Sequence, residues 1–136
     1  MKLIFCIDER GGMMFNKRRV SRDKLMIADL AEYVGDEALY IEPYSEELFS
    51  EVSLNIICSE SPEYSADSAD FAFVETHSPK DSLHRAEELI IYNWNRRYPF
   101  DVSMGFNPEK LGFKLKSSFE FKGNSHDLIT REVYVK

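Results

Sequence analysis

Short apolar runs, separated by polar segments that contain glycine or proline, predict seven β-strands along the chain. The first run, Leu3 to Ile7, has no polar interruption, which is typical of a strand that is buried on both faces. Later runs combine β-branched and aromatic residues in the same way. The predicted strands cover residues 2–8, 38–42, 53–58, 70–75, 88–95, 112–121 and 128–135.

Three segments carry signals of helix initiation. The clearest helix is predicted over 21–34, where apolar residues recur on one face, Ser21 is the candidate N-cap and Gly35 is the stop. A second, over 45–51, has glutamates in its first turn, where the helix dipole favours negative charge. A third, over 78–86, begins with Ser-Pro, a typical N-cap and first helical residue.

The order of these elements predicts the fold class. Early strands alternate with helices, whereas the last three strands do not. This pattern indicates an α/β fold with a mainly parallel twisted sheet that is finished by a C-terminal antiparallel hairpin. No repeat or linker interrupts the chain, and the polar segment 59–68 is interpreted as a loop. Residues 1–136 are therefore expected to form a single domain.

Composition limits the partners and the compartment. The chain is 43% hydrophobic and 30% charged, as in ordinary globular proteins, and its net charge is −7. An acidic protein does not suit general nucleic-acid binding and favours basic partners. No apolar run approaches the ~18 residues of a membrane span, so we expect no membrane association and a cytoplasmic location. Cys6 and Cys58 lie in apolar runs and are interpreted as reduced core thiols.

The first strand is followed by a glycine loop and a group of cations, a place where α/β proteins often bind ligands. Arginine presents a fork of donors that matches oxyanions, so this group is a candidate site for a small anionic ligand. The alternative is an ordinary solvated charged surface. The candidate residues are Asn16, Lys17, Arg18, Arg19 and Arg22.

A second candidate lies at the fifth predicted strand. Alternation places Tyr92 and Trp94 on one face, and Arg96 and Arg97 follow them. Exposed Trp, Tyr and Arg dominate binding hot spots, so these four residues could recognise a protein partner. The alternative is that the two aromatic residues pack in the core.

Several strings, in their shared order, resemble dihydrofolate reductase over nearly the whole length, with a shortened middle. LIFCIDERGGMM resembles the first strand and glycine loop, LNIICSESP resembles a later strand and its loop, AEELIIYNW resembles a further strand, and GNSHDLITREVYV resembles the closing hairpin. VSRDKLMIADL is similar to the helix that carries the reductase's active-site carboxylate. The resemblance therefore implies a dihydrofolate reductase-like fold and makes Asp23 the candidate catalytic residue.

The departures from that family concern its cofactor. The resemblance places a phosphate-binding glycine pair at 73–77, but the sequence there is FVETH, and Glu75 would set a negative charge beside a phosphate. The phosphate-pairing arginine is absent from EPYS at 42–45, SE stands at 59–60 in place of Ser-Arg, and EVS at 51–53 offers no cation for a folate tail. We therefore expect no cofactor, and no NADPH bound in the usual mode.

The chain also resembles small uncharacterised bacterial proteins that are sometimes labelled ribonuclease Z. The residues contradict that label, because the metal-binding His-x-His-x-Asp-His string is absent and His77, His84 and His126 stand apart. Neither the histidines nor the cysteines have metal-ligand spacing, so no metal site is expected. His126 lies in a polar turn, and no nucleophile that it could activate is identifiable in the sequence.

Two classes of function follow. The first is a non-catalytic protein that binds a small anionic ligand or a basic protein partner, such as an immunity or inhibitor protein steered by charge. The alternative is a divergent NAD(P)H-dependent reductase that uses Asp23. The loss of the phosphate-binding residues favours the first, and the sequence leaves the oligomeric state open.

Overall fold

The computed structural model describes residues 1–136, whose centre is a seven-stranded sheet. A three-stranded sheet lies beside it. The strands are β1 (Lys2–Ile7), β2 (Gly12–Phe15), β3 (Arg18–Arg19), β4 (Ala38–Ile41), β5 (Asn55–Cys58), β6 (Phe71–Phe73), β7 (Glu88–Asn93), β8 (Val102–Ser103), β9 (Lys114–Phe121) and β10 (Ile129–Val135). The helices are α1 (Lys24–Val34) and the short α2 (Pro62–Ser65), with 3-10 helices at Pro43–Phe49, Pro79–Arg85 and Pro108–Leu111.

The strand order of the large sheet is β5-β4-β6-β1-β7-β10-β9. The five strands from β5 to β7 are parallel, and β10 and β9 complete the sheet as an antiparallel hairpin. The predicted fold class is confirmed: a mainly parallel α/β sheet with a C-terminal antiparallel hairpin.

Both faces of the inner parallel strands β6, β1 and β7 are covered, which explains their uninterrupted apolar runs. Along β1, Leu3 and Phe5 belong to one core cluster, whereas Ile4 belongs to the other. The second cluster includes the buried face of α1, where Met26 and Leu30 pack. The sheet and α1 therefore form a rigid base for the residues at the carboxyl ends of the strands.

Tyr92 and Trp94 belong to this second cluster, with 0% and 2% of their surfaces exposed. The expectation of a surface patch at these two residues is wrong, because α1 packs on their face of β7, where Asp29 accepts a hydrogen bond from the Tyr92 hydroxyl. The interpretation as core packing is the correct one. The interpretation of Cys58 as a core thiol is wrong, because this residue is exposed on the edge strand β5. Neither cysteine forms a disulfide.

The start of α1 also differs from the prediction. Asp23, not Ser21, is the N-cap, and its Oδ1 accepts hydrogen bonds from the backbone N–H groups of Leu25 and Met26. Gly35 ends the helix as predicted, with φ at 63°. The small sheet of β2, β3 and β8 was not predicted, because strands of two to four residues are too short to show a period. No helix of the protein is both long and apolar enough to cross a membrane.

Candidate functional site

An open cleft of about 500 Å³ lies beside the N-terminus of α1. The 3-10 helix Pro43–Phe49 and the segment after it form one wall, and the turn between β9 and β10 forms another. A second cavity, of about 10 Å³, adjoins the cleft and shares four of its lining residues. The polar side chains of the cleft belong to Arg22, Asp23, Lys24, Glu47, Ser50, Glu51, Asn124 and Ser125.

The carboxylate of Asp23 is fully engaged by its surroundings. Besides capping α1, it accepts hydrogen bonds from the backbone N–H groups of Asn124 and Ser125 at 3.1 and 2.8 Å. The Ser125 hydroxyl donates to it as well. Gly123 comes so close that a Cβ atom there would collide with Oδ2. The β9–β10 turn therefore fits over this carboxylate because residue 123 has no side chain.

These donors set the ionisation of Asp23. Burial alone would raise the pKa of the carboxyl group, but the hydrogen bonds from Ser125, Asn124 and His126 outweigh burial and lower the pKa to about 2. Asp23 is therefore a carboxylate at neutral pH and has no proton to donate.

His126 links this carboxylate to the cavity. Its Nδ1 lies 3.2 Å from Oδ2 of Asp23, and its Nε2 lies 2.8 Å from the hydroxyl of Ser21. The ring stacks on Trp94, with 4.6 Å between the ring centroids, and the Tyr98 hydroxyl is 3.2 Å from Nε2. The sequence did not indicate that Ser21 meets His126, since 105 residues separate them.

Arg19 also lines the cavity, and its guanidinium forms an ion pair with the buried Glu75. It also bonds Glu47 at 2.6 Å and lies over the ring of Tyr44, 4.6 Å from its centroid. Burial would lower the pKa of Arg19, but the bonds to Glu75 and Glu47 outweigh it and raise the pKa further. Arg19 is therefore committed to partners within the protein.

The backbone N–H groups at the end of β6 are also committed. Those of Glu75 and Thr76 donate to one oxygen of Glu42, at 3.0 and 3.2 Å, and the Thr76 hydroxyl donates to the other. Burial raises the pKa of Glu42, but His77 and Thr76 outweigh it, so the pKa is lowered overall. Glu42 therefore places an ionised carboxylate on these N–H groups.

His77 joins two buried carboxylates. Its Nδ1 is 3.2 Å from Glu42, and its Nε2 is 2.5 Å from Glu63. Hydrogen bonds to Glu42 and then Glu63 raise the pKa of His77 to about 10, against the opposing effect of burial. A protonated His77 thus connects β4, α2 and the segment after β6.

The structure divides the cation group predicted from the sequence. Asn16 and Lys17 form the β2–β3 turn with positive φ angles of 52° and 61°, and Arg18 is exposed beside them. Arg19 and Arg22 line the small cavity together with Asp23, and Arg22 is the only member of the predicted cation group that also lines the open cleft. The local ion pairs are those of Arg19 and of Lys24 with Glu51, so the guanidinium of Arg22 has none.

The other arginines predicted for binding lie on the loop after β7. Arg96 pairs with Asp127 at 3.6 Å, and Arg97 pairs with Glu9 at 2.6 Å. Neither lines the cleft. No three His, Cys, Asp or Glu side chains come together in an arrangement that could hold a metal ion.

Comparison with known proteins establishes the fold and no more. No family model matches the sequence, and no curated protein matches it. Among solved structures, the dihydrofolate reductase from Enterococcus faecalis, complexed with NADP(H) and RAB-propyl, matches with a TM-score of 0.67 and 9% identity. The match covers 98% of this chain and 94% of that one. The predicted dihydrofolate reductase-like fold is confirmed, whereas the resemblance to proteins labelled ribonuclease Z is not supported.

Proposed function

We propose that this protein binds a small anionic ligand in the cleft beside α1 and does not transfer hydride from a nicotinamide cofactor. The position of Glu42 is the observation that argues against hydride transfer from a nicotinamide cofactor. Its carboxylate takes the N–H groups of Glu75 and Thr76, where the resemblance to the reductase expects a cofactor phosphate. An incoming phosphate would have to displace a charged group that already has four donors.

The state of Asp23 supports the same conclusion. A divergent reductase would need Asp23 to supply a proton, and a carboxyl group with a pKa near 2 is ionised throughout the neutral range. The carboxylate also has six donors that hold it in place. Its geometry fits a structural anchor for the β9–β10 turn and α1.

Arg22 is the residue best placed to hold a ligand. It lines the cleft without an ion pair, and a guanidinium in that state favours a carboxylate or phosphate. Lys24 adds a second positive charge, and Ser50 and Asn124 offer neutral hydrogen-bonding groups. Because Glu47 and Glu51 line the same cleft, a ligand with both an anionic group and hydrogen-bond donors fits best.

A basic protein partner, such as the target of an immunity protein, would need a different surface from the one predicted. Tyr92 and Trp94 are buried, which removes the aromatic part of that surface. The remaining support is the net charge of −7. We therefore place the small-ligand proposal first.

The test is a thermal-shift titration with NADPH, NADH, folate, dihydrofolate and a panel of nucleotides, followed by calorimetry of any compound that raises the melting temperature. A native-state ligand at a hundredfold excess over its Kd adds roughly 2.7 kcal/mol. We expect a shift that Arg22→Ala removes and that the exposed control Arg18→Ala keeps. Stabilisation by NADPH together with its oxidation would contradict the proposal, and so would a ligand unaffected by Arg22→Ala.

A further inference from the structure

Ser21, His126 and Asp23 form a connected chain of three side chains beside the small cavity. The Ser21 hydroxyl is 2.8 Å from Nε2 of His126, and Nδ1 of the same ring is 3.2 Å from Oδ2 of Asp23. A nucleophile within hydrogen-bond reach of a base, with that base oriented by a third group, is the geometric signature of nucleophilic catalysis. The three residues come from the start of α1 and from the turn between β9 and β10.

The surroundings determine which nitrogen of His126 carries the proton. Because Asp23 is ionised, its Oδ2 can only accept, so a neutral imidazole donates Nδ1–H to it. The lone pair of Nε2 then accepts from a hydroxyl, and that of Ser21, at 2.8 Å, is nearer than that of Tyr98, at 3.2 Å. Stacking on Trp94 at an interplanar angle of 16° holds the ring in this orientation. This is the tautomer that a general base needs.

We propose that Ser21 is a nucleophile activated by His126, and that it accepts the acyl group of a small ester bound in the cleft. Ser21 is half-buried, and it lines the cavity that adjoins the cleft through Arg22 and Asp23. The cavity has room for about one water molecule, so it suits the water of the hydrolytic step and not the acyl group. The ester, including its acyl group, lies in the larger cleft.

The reaction uses water as its only co-substrate. Oγ of Ser21 attacks the ester carbonyl carbon while its proton passes to Nε2 of His126. The bond between that carbon and the alkoxide oxygen then breaks, and Nε2 gives its proton to that oxygen, so that the leaving group departs as the alcohol. Water attacks the acyl-serine in the same way, and release of the carboxylic acid restores the Ser21 hydroxyl. Asp23 acts as a positioning residue, since it holds the ring without touching the ester.

A fluorophosphonate probe tests the nucleophile directly on the wild-type protein. Cleavage before aspartate releases the peptide from Asp8 to Arg22, in which Ser21 is the only hydroxyl-bearing residue. We expect the adduct on this peptide, its loss in Ser21→Ala, and labelling at least about 100-fold slower in His126→Gln. Ser117→Ala, on the exposed strand β9, is the matched control and should label as the wild type does. An unlabelled peptide would overturn the proposal, as would equal labelling of the folded His126→Gln variant.

Nuclear magnetic resonance of protein labelled with ¹⁵N-histidine tests the tautomer without any substitution at Ser21 or His126. A proton on Nδ1 and none on Nε2 supports the assignment, and the opposite tautomer refutes it. Asp23→Asn should change the distribution of the proton between Nδ1 and Nε2 of His126. A role of Asp23 limited to capping α1 would not require that change. The inference rests on the proposed function only in sharing the cleft. Labelling of Ser21 requires no anionic ligand, so either proposal can fail while the other holds.

Discussion

The guanidinium of Arg19 meets the carboxylate of Glu75 through two hydrogen bonds, 2.9 Å from Nε to Oε1 and 3.1 Å from Nη2 to Oε2. Only 13% and 10% of the two side chains are exposed. The hydroxyl of Ser45 adds a third donor to Glu75, at 2.5 Å. Each charge is therefore held away from water by a partner that compensates it, and removal of one partner leaves the other buried and unpaired.

We expect Arg19→Met and Glu75→Gln each to lower the free energy of unfolding by about 3 kcal/mol, because each leaves an uncompensated polar or charged group. The double variant Arg19→Met with Glu75→Gln should lose clearly less than the sum of the two single losses. Urea denaturation measures all three. Lys24→Met is the control, since its pair with Glu51 is 3.9 Å long and exposed, and it should cost less than about 1 kcal/mol. Additive losses in the double variant would show that the pair is not coupled.

Removal of the Glu42 carboxylate should convert the end of β6 into an anion site. In Glu42→Ala, the N–H groups of Glu75 and Thr76 lose their acceptor, and we expect a loss of about 2 kcal/mol. Sulfate should then raise the melting temperature of this variant more than that of the wild type, because it restores an acceptor. Glu46→Ala, an exposed neighbour, should respond as the wild type does. The same sulfate effect in all three proteins would contradict this account.

The sheet was predictable because its information is local. Leu3, Ile4 and Phe5 are all fully buried, and a run without polar residues signals just that environment. The hairpin was predictable for a related reason, since no helix pattern separates its two strands. Gly35 also acted locally, by ending α1 in a backbone conformation that favours glycine.

The candidate site was less predictable because its contacts are not local. The backbone N–H of Asn124 donates to Oδ1 of Asp23, which is 101 residues away in the sequence. Likewise, Glu42 is 33 residues from Glu75, whose N–H it accepts. A single sequence shows that these residues are polar but not which donor meets which acceptor. The functions expected of Asp23 and Arg19 required side chains that are free to meet a ligand. In the structure, the hydrogen bonds and ion pairs of both side chains are made to other residues of the protein. Gly123 was the one residue in the sequence that signalled a close approach in the β9–β10 turn. The structure shows why glycine is needed there, because a Cβ atom would collide with the Asp23 carboxylate.

Stability should fall at alkaline pH through His77. The pKa of His77 is raised from 6.5 to about 10, so its contribution is fully present below pH 6.5 and is lost as the pH rises to 10. Melting temperatures of the wild type and His77→Gln should therefore differ most near pH 6 and converge towards pH 10. For the control His84→Gln, at an exposed histidine, the difference in melting temperature from the wild type should not change over this pH range. A difference that stays constant over this range would contradict the ion-pair assignment.

The fit between Gly123 and Asp23 gives a prediction at acid pH. A Cβ at residue 123 would collide with the Asp23 carboxylate and lie 2.7 Å from Cδ1 of Ile129, so Gly123→Ala should cost about 1–3 kcal/mol through overpacking. It should also disturb the donors that lower the pKa of Asp23 from 3.8 to about 2. The stability from Asp23 is present above pH 3.8 and is lost as the pH falls through 2.

Gly123→Ala should therefore show a smaller loss of stability between pH 4 and pH 2 than the wild type, when urea unfolding is measured at each pH. Gly35→Ala is the control, because a Cβ there meets no atom within 4 Å although φ is 63°. Its backbone conformation, which glycine adopts far more readily than alanine, should cost about 1–3 kcal/mol and leave the acid dependence unchanged. If both variants lose stability in acid as the wild type does, the β9–β10 turn does not set the ionisation of Asp23. A smaller fall in the free energy of unfolding between pH 4 and pH 2 in Gly123→Ala alone would show that the turn holds the Asp23 carboxylate in its ionised, capping state.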